Sequence, residues 1–316
     1  EPAHTPEHQL RSADDSLEDR HQLADFLRTA ANEVTYPIQQ GELLQAGDGV
    51  SLACDYLKPY LAHASIGLSC ALAQWDGATL QVWTHSQGIQ NLRDDLTKAL
   101  GLPKSSIVMR HVEGSGCYGH NGADDVAFDA AWLAHLVPGR PVRVQWMRAD
   151  EHKWEPYGAA MVVKTKARVD ANGDNLDWRL DLWSTSHLAR PSGKAGNLLP
   201  ARALEKPFAM PPAVNNGPPN YAADRNAIAL YDFPGHKVLT HFITDMPLRV
   251  SSTRGLGAYA NIFAIESFID EVAHARKMDP LAMRLELTKD DPRANAVIRA
   301  VAEMSDWKRK RRGRAL

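Results

Sequence analysis

Four glycines lie within residues 114–122, between a strand candidate at 106–112 and a helix candidate at 126–137. Glycine adopts positive φ angles and lets the backbone pass close to another group, so this segment predicts a tight turn between a strand and a helix. Asn121 or Asp124 is placed to cap the first turn of that helix. The sequence therefore predicts a turn whose backbone N–H groups and helix N-terminus face the same space.

A turn of this kind attracts an anion, most often a phosphate, because its N–H groups and the helix dipole carry partial positive charge. We interpret it as the binding site of a phosphorylated organic cofactor. The letters from Gly114 to Gly119 also spell the GxGxxG pattern of nicotinamide-binding Rossmann folds. In that fold an acidic residue follows about 20 residues later, whereas Asp150 lies well beyond that distance. The nicotinamide-binding dehydrogenase is kept as an alternative, and so is a purely structural turn.

Four side chains near this turn could instead form a metal site: His111, Glu113, Cys117 and His120. His111 and Glu113 have the HxE spacing of zinc deaminases, but the sequence lacks the Pro-Cys-x-x-Cys segment that supplies the other ligands. Cys117 has no recognisable triad partner, and no GxSxG elbow occurs. We therefore predict that no side chain ligates a metal directly and that most of these groups orient the turn.

A second small-residue segment, residues 251–261, precedes a helix candidate at 262–277. It contains Gly255 and Gly257 beside Arg254, whose guanidinium is a fixed positive charge with a planar set of donors. Two such turns, each before a helix, can hold one extended anionic cofactor from opposite ends. The sequence thus predicts that the two turns lie together in space.

Composition narrows the class of protein. The 316 residues suffice for one large domain or two of ordinary size. The net charge of −2 provides no overall basic field, which argues against a nucleic-acid partner. Three cysteines without a CxxC pair do not form a disulfide framework. No apolar run approaches the roughly 18 residues of a membrane span, so no transmembrane segment is expected.

Apolar periodicity and turn residues predict an α+β fold of mixed sheets with flanking helices. Helices are predicted at 16–33, 91–100, 126–137, 262–277, 280–288 and 293–304. Strands are predicted at 50–54, 66–75, 79–84, 106–112, 141–147, 161–169, 176–183, 227–231 and 237–243. Asp76-Gly77 predicts a hairpin, the proline-rich segment 190–224 a long functional or disordered loop, and the basic segment 308–314 a solvated end.

Six stretches resemble, in their order, the molybdopterin-binding large subunit of the xanthine dehydrogenase and aldehyde oxidase family, and its nicotinate and isoquinoline dehydrogenase branch in particular. They are residues 60–65, 82–87, 114–121, 140–148, 254–258 and 263–271. No stretch is specific by itself, whereas the ordered combination is. The resemblance implies the fold of the first molybdopterin-binding half of that subunit.

The resemblance implies a molybdenum hydroxylase, in which a molybdopterin, often as its cytosine dinucleotide, holds molybdenum through a dithiolene. In that family a metal-bound hydroxide attacks a carbon beside a ring nitrogen or in an aldehyde, and a glutamate is the base. By the same resemblance Gln87 would hydrogen-bond a molybdenum oxo group. The other implied cofactor-binding residues are Gly114, Ser115, Gly116, Cys117, Tyr118, Gly119, Arg254, Gly255, Leu256, Gly257 and Ala258.

The sequence departs from the family pattern in several places. Cys117-Tyr118 stands where the first turn usually has Phe, His120 where Lys follows, and Ile66-Gly67-Leu68 where Met-Glu-Pro or Met-Gly-Pro is usual. The family's chain also continues past the position of Leu316 into a second cofactor-binding half, which carries the catalytic glutamate. The chain alone is therefore expected to form an incomplete active site.

The expected partners are a chain carrying the second half, a separate iron–sulfur subunit and a small-molecule substrate. The predicted organisation is an N-terminal helix and linker at 1–35, the first molybdopterin-binding half at 36–290 and the start of a truncated second half at 291–316. The expected location is the cytoplasm or the cytoplasmic side of a membrane, with the periplasm left open. A truncated, non-catalytic domain without cofactor is the other alternative. The missing half also predicts exposed apolar surface.

Overall fold

The computed structural model describes residues 20–41, 49–170 and 176–308. Helices α1 to α7 are Arg20–Thr29, Ile89–Leu100, Ala123–Leu136, Arg148–Trp154, Ala258–Ala275, Pro280–Leu287 and Pro292–Met304. Strands β1 to β11 are Asn32–Gln40, Val50–Lys58, Cys70–Trp75, Leu80–Thr84, Ile107–His111, Pro141–Gln145, Tyr157–Gly158, Met161–Val169, Leu176–Ser184, Gly235–Ile243 and Val250–Ser251. Mixed sheets with flanking helices confirm the predicted α+β class.

The larger sheet has five strands in the order β1-β10-β9-β8-β2. Strands β9 and β10 are parallel, and the other neighbours are antiparallel. Helix α5 covers one face, where Trp178 of β9 stacks on Phe233 at 4.7 Å and contacts Phe268 of α5 at 5.4 Å between ring centroids. These three rings are at most 2% exposed, and burial of each contributes about 1.5–3 kcal/mol. The cluster fixes α5, and hence the turn before it, on the sheet.

The smaller sheet has four strands in the order β5-β4-β3-β6, and helix α3 packs across it. The antiparallel pairing of β3 with β4 confirms the hairpin predicted at Asp76-Gly77. Strands β4 and β5 are parallel, so both end at the same edge of the sheet. The segment that follows β4 and the glycine turn that follows β5 therefore leave the sheet together.

A third, two-stranded sheet pairs β7 with β11 in parallel. Gly158 of β7 also bridges Leu61, which lies just after β2, and β11 leads directly into the second small-residue turn. A Cβ atom at Gly158 would lie 2.4 Å from Cγ2 of Thr253, so only glycine allows this close approach. This small sheet therefore brings the segment after β2 to the second turn.

The helix predicted at 16–33 is only partly correct. Positions 16–19 lie outside the described residues, and the helix ends at Thr29. Residues Asn32–Gln40 instead form edge strand β1, which pairs with β10 across a bulge between Thr35 and Ile38. This strand was not predicted, because its residues do not alternate between polar and apolar and because Pro37 argues against a strand. An edge strand with a bulge nevertheless tolerates proline.

The strand predicted at 227–231 is wrong. Ala227, Ala229 and Tyr231 are buried in alternation, yet no described strand pairs with them. Alternating apolar residues indicate which side chains are buried. They do not show that a neighbouring strand is available for backbone hydrogen bonding. Helix α4 was not predicted from the sequence. Its one buried residue is Glu151, so it has no apolar stripe of the kind that predicts an amphipathic helix.

Neither predicted capping residue is the N-cap of helix α3, which is Gly122 and has no side-chain cap hydrogen bond. Helix α3 begins at Ala123, whose N–H donates to Asn121 Oδ1 at 3.1 Å. Asp124 lies inside the first turn and accepts from Ser86 instead, so it is not the cap. Helix α5 begins at Ala258, four positions before the predicted start at 262, because the turn itself winds into the helix.

Helix α7 has no buried residue, and Val297, Val301 and Met304 are exposed along it. This stripe is exposed apolar surface of the kind that the sequence analysis predicted. The cysteines are all free thiols. None of the described helices combines the length and the hydropathy that a bilayer crossing requires.

Candidate functional site

The glycine turn after β5 depends on backbone conformations that favour glycine. Gly116 and Gly119 have φ angles of +91° and +132°, and Tyr118 between them has +63°. A Cβ atom at Gly119 would lie 2.1 Å from the Ser252 carbonyl oxygen, so the second turn occupies the space that a side chain would need. The sequence-predicted turn is therefore shaped by contact with the other turn.

The two small-residue turns are joined by backbone hydrogen bonds. The His120 N–H donates to Ser252 O at 2.8 Å, and the Arg254 N–H donates to Tyr118 O at 2.7 Å. Gly119 and Thr253 thus form an isolated antiparallel bridge. The predicted proximity of the turns is confirmed, but they meet edge to edge rather than at opposite ends of an intervening space.

A cleft of about 810 Å³ opens beside this junction. It is lined by Lys58, Leu61, Ala62, His63, Tyr118, Thr253, Arg254, Gly255, Ala258, Tyr259, Ile262 and Phe263. Of the predicted cofactor-binding residues, this set includes Tyr118, Arg254, Gly255 and Ala258. The others do not line it: Gln87, Gly114, Ser115, Gly116, Cys117, Gly119, Leu256 and Gly257.

The donors around the cleft fit an anionic cofactor. At the cleft, the Tyr118 N–H and the Arg254 guanidinium donate to no described residue. The N–H groups of Ser115 and Cys117, which belong to the same turn but do not line the cleft, are also without a described acceptor. Helix α5, which has 18 residues, presents its N-terminus at Ala258 on the cleft wall. Free amides, a fixed cation and a helix N-terminus together stabilise a negatively charged ligand, such as a phosphate group, and donate hydrogen bonds to its oxygen or nitrogen acceptors.

Gln87 does not line the cleft. Its Oε1 accepts a hydrogen bond from Arg190 Nη1 at 3.1 Å, and the side chain is exposed. Two positions earlier, His85 is buried with both ring nitrogens unpartnered among the described residues, and a Cβ at Gly114 would lie 2.9 Å from its ring. Burial lowers the pKa of His85, so it stays neutral there. The first turn therefore contacts His85 at Gly114 and reaches the cleft at Tyr118.

A buried polar network connects the glycine turn to the second turn and to helix α3. His120 Nδ1 and Ser251 Oγ lie 2.9 Å apart, and His120 Nε2 lies 3.3 Å from Asp124 Oδ2. Burial and the charge of Arg249 hold the pKa of His120 well below its usual range, so the ring is neutral. Burial raises the pKa of Asp124 to about 6, although the hydrogen bond from Ser86 opposes the shift.

A buried ion pair ties helix α3 to the proline-rich segment. Arg249 donates to both carboxylate oxygens of Asp125, at 2.7 and 3.1 Å, and to the carbonyls of Trp154 and Asn197 at 3.0 and 2.9 Å. Asp125 Oδ1 also accepts from the Leu199 N–H at 2.8 Å. This pair holds the segment predicted as a long loop against the site, where it forms two short 3₁₀ helices at Ala195–Asn197 and Pro200–Ala203.

His63 is fixed on the other wall of the cleft. Its Nε2 lies 2.9 Å from Ser252 O and donates to it, because a carbonyl oxygen only accepts. Its backbone N–H donates to Glu155 Oε1 at 2.8 Å. The Ser252 carbonyl therefore receives donors from both His63 and the glycine turn, which locks the second turn in position.

The alternatives fit the geometry less well. His111 bonds to Ser86 O, Cys117 to Gly119 O and His120 to Ser251, so these side chains do not converge as metal ligands. Within the described ranges, no group of three or more His, Cys, Asp or Glu side chains is arranged to hold a metal ion. Strand β3 is antiparallel to both of its neighbours, unlike the parallel sheet of a nicotinamide-binding Rossmann fold.

Sequence reasoning missed three residues of this site: Lys58, Arg190 and Arg249. Lysine and arginine are usually exposed, so no local pattern marks those that fold inward. Lys58 ends a strand that was predicted only as far as Cys54, and Arg190 lies in a segment without periodicity. Their positions depend on contacts between distant parts of the chain.

Residues 28–211 match the family model described as "Molybdopterin cofactor-binding domain". The chain is 38% identical over 256 residues to a nicotinate dehydrogenase subunit of Pseudomonas putida, covering 81% of this chain and 20% of that protein. It is 28% identical over 212 residues to the beta subunit of isoquinoline 1-oxidoreductase of Brevundimonas diminuta, covering 67% and 25%. The chain thus spans between 20% and 25% of the length of these curated relatives.

A solved structure has the same fold. Quinoline 2-oxidoreductase from Pseudomonas putida 86 superposes with a TM-score of 0.65 at 17% identity, over 89% of this chain and 36% of that chain. This similarity establishes the arrangement of helices and strands. It agrees with the fold that the ordered motifs predicted.

Proposed function

The chain belongs to the molybdopterin cofactor-binding domain family, and on that premise we propose that it is the first cofactor-binding half of a molybdenum hydroxylase. The proposed reaction oxidises an N-heteroaromatic ring, or an aldehyde, with water as the source of oxygen. The heteroaromatic class is suggested by the relatives named nicotinate dehydrogenase and isoquinoline 1-oxidoreductase. The chain is proposed to be inactive without the second half.

The direct junction of the two glycine turns carries this proposal. Both turns were predicted from sequence as halves of one anion-binding site, and they are hydrogen-bonded to each other beside a cleft with free donors. A purely structural turn has no need of unpartnered amides close to a free guanidinium, as at Tyr118 and Arg254. When bound, the cofactor would supply a molybdenum centre that activates water and accepts electrons.

We propose distinct roles for the chain's own residues. Tyr118, Arg254, Gly255 and Ala258 would contact the cofactor from the cleft, with Arg254 neutralising its negative charge. The remaining turn residues would donate backbone N–H groups, and Gly119 would keep the two turns in register. Gln87, held by Arg190, would donate its side-chain amide to an oxygen ligand of the metal.

The rest of the assembly remains a prediction. A chain carrying the second half would supply the base and complete the cleft, and iron–sulfur clusters on a separate subunit would remove electrons. The cytosine dinucleotide form of the cofactor, the division at position 290 and the cytoplasmic location also stay predictions. Residues 291–304 support that division in one respect, since α7 presents its apolar side outward for a further segment.

The experiment is turnover in ¹⁸O-labelled water by the complex isolated with this chain. Pyridine and quinoline derivatives and aromatic aldehydes are offered as separate substrates, and product mass is measured. The proposal predicts one labelled oxygen in the product and loss of turnover in Arg254→Met, while the remote exposed variant Lys206→Met stays active. An assembled complex that oxidises none of these substrates, or that leaves the product unlabelled, would contradict it.

A further inference from the structure

Lys58 is a buried cation that has no carboxylate partner. It lies at the end of β2, is 5% exposed and lines the cleft. Its ammonium group donates to the Ala159 carbonyl oxygen, and its other two donors have no partner among the described residues. Burial lowers the pKa of Lys58 to about 8, so it remains mostly protonated at neutral pH. An unpaired buried charge is unfavourable unless a ligand compensates for it.

The surroundings of Lys58 favour an anion. The cleft wall also carries Arg254, whose guanidinium contacts no described carboxylate, and none of the lining residues is Asp or Glu. Burial, with a smaller effect from the charge of Lys58, lowers the pKa of His187 to about 3, so that ring stays neutral and adds no charge of its own. The helix α5 N-terminus adds partial positive charge.

The rest of the cleft is apolar. Leu61, Ala62, Ile262 and Phe263 line it beside Tyr259. Such walls take up a flat organic group, while two cations fix a charged substituent on it. A free inorganic ion would leave these walls without a contact.

We propose that Lys58 and Arg254 form an oxyanion-binding site that fixes the phosphate or carboxylate group of an organic ligand in this cleft. Lys58 holds one oxygen from the buried end, and Arg254 reaches the same group from the exposed rim. The proposal rests on the proposed function, which places the ligand in this cleft, and it adds Lys58 to the residues that hold that ligand. A phosphate would come from a cofactor, and a carboxylate from an aromatic substrate.

The test is calorimetric titration of the 316-residue chain at low salt with inorganic phosphate and, separately, with pyridine-3-carboxylate. Wild type is compared with Lys58→Met, Arg254→Met and the control Lys206→Met, which removes an exposed charge away from the cleft. A lost charge-assisted hydrogen bond weakens binding about tenfold or more. Thermal unfolding of each variant reports whether it is folded.

The proposal predicts that at least one probe binds wild type and that both cleft variants weaken it about tenfold, while Lys206→Met does not. Tighter phosphate binding assigns the site to a cofactor, and tighter carboxylate binding assigns it to a substrate. If Lys58→Met does not fold, Arg254→Met carries the test. Wild type that binds neither probe, or folded cleft variants that bind as wild type does, would overturn the proposal. Failure of the molybdenum hypothesis would leave these titrations unaffected.

Discussion

Replacing Asp125 by Asn tests whether a buried ion pair holds the site together. The Asp125 and Arg249 side chains are 0% and 14% exposed, and the carboxylate receives two bonds from the guanidinium and one from the Leu199 N–H. Asparagine keeps the volume and one acceptor oxygen. It turns an NH₂ group toward the Leu199 N–H or the guanidinium, and it leaves the arginine charge uncompensated.

Removing one partner of a buried, hydrogen-bonded pair costs about 3–5 kcal/mol. This is a large part of the roughly 5–15 kcal/mol by which a domain is stable. The exposed pair between Lys104 and Asp94 provides the matched control, since surface pairs contribute about 0–1 kcal/mol. Asp94→Asn should therefore change stability little.

Urea unfolding followed by tryptophan fluorescence measures both variants. Asp125→Asn should lower the free energy of unfolding by about 3–5 kcal/mol. Arg249→Met should do similar damage, and the double variant should lose less than the sum, because neither charge is then stranded. A loss below about 1 kcal/mol in Asp125→Asn, equal to that of Asp94→Asn, would refute the reasoning.

Two further predictions concern the turn. Asp124 has its pKa raised by burial from 3.8 to about 6, so the folded state binds its proton more tightly. Wild type should lose up to about 3 kcal/mol relative to Asp124→Asn as pH rises from about 4 to about 7, and parallel urea stability curves would contradict this. Gly119→Ala should destabilise more than Gly77→Ala, which has φ +98° but open space and loses only about 1–2 kcal/mol to backbone strain. Equal losses of stability in the two variants, measured by thermal unfolding, would contradict the steric role of Gly119 at the junction of the turns.

Local patterns predicted the parts of the site that are local. The glycine turn and helix α3 follow from glycines, an asparagine just before the helix and an apolar alanine-rich run, which are neighbours in the sequence. The second turn and α5 were recognised in the same way. Because each turn precedes a helix, their shared affinity for anions was also accessible from sequence.

The junction between the turns was not predictable in its details. Gly119 and Thr253 are far apart in sequence, and their bridge depends on β11 pairing with β7. Edge-to-edge contact of the turns is set by this pairing, and no local residue preference encodes it. The burial of Lys58 likewise follows from the pairing of the end of β2 with β8. It could not be predicted from the residue type, because lysine is rarely buried.

The central claim is that this chain holds part of a molybdopterin beside the two joined turns. The most direct measurement is the molybdenum and oxidised-pterin content of the complex isolated with wild type, Gly119→Ala and the control Gly88→Ala, whose added methyl group meets open space. The account predicts molybdenum and pterin in equal amounts with wild type and Gly88→Ala, and a loss of both with Gly119→Ala. A fully assembled wild-type complex that contains neither would contradict it.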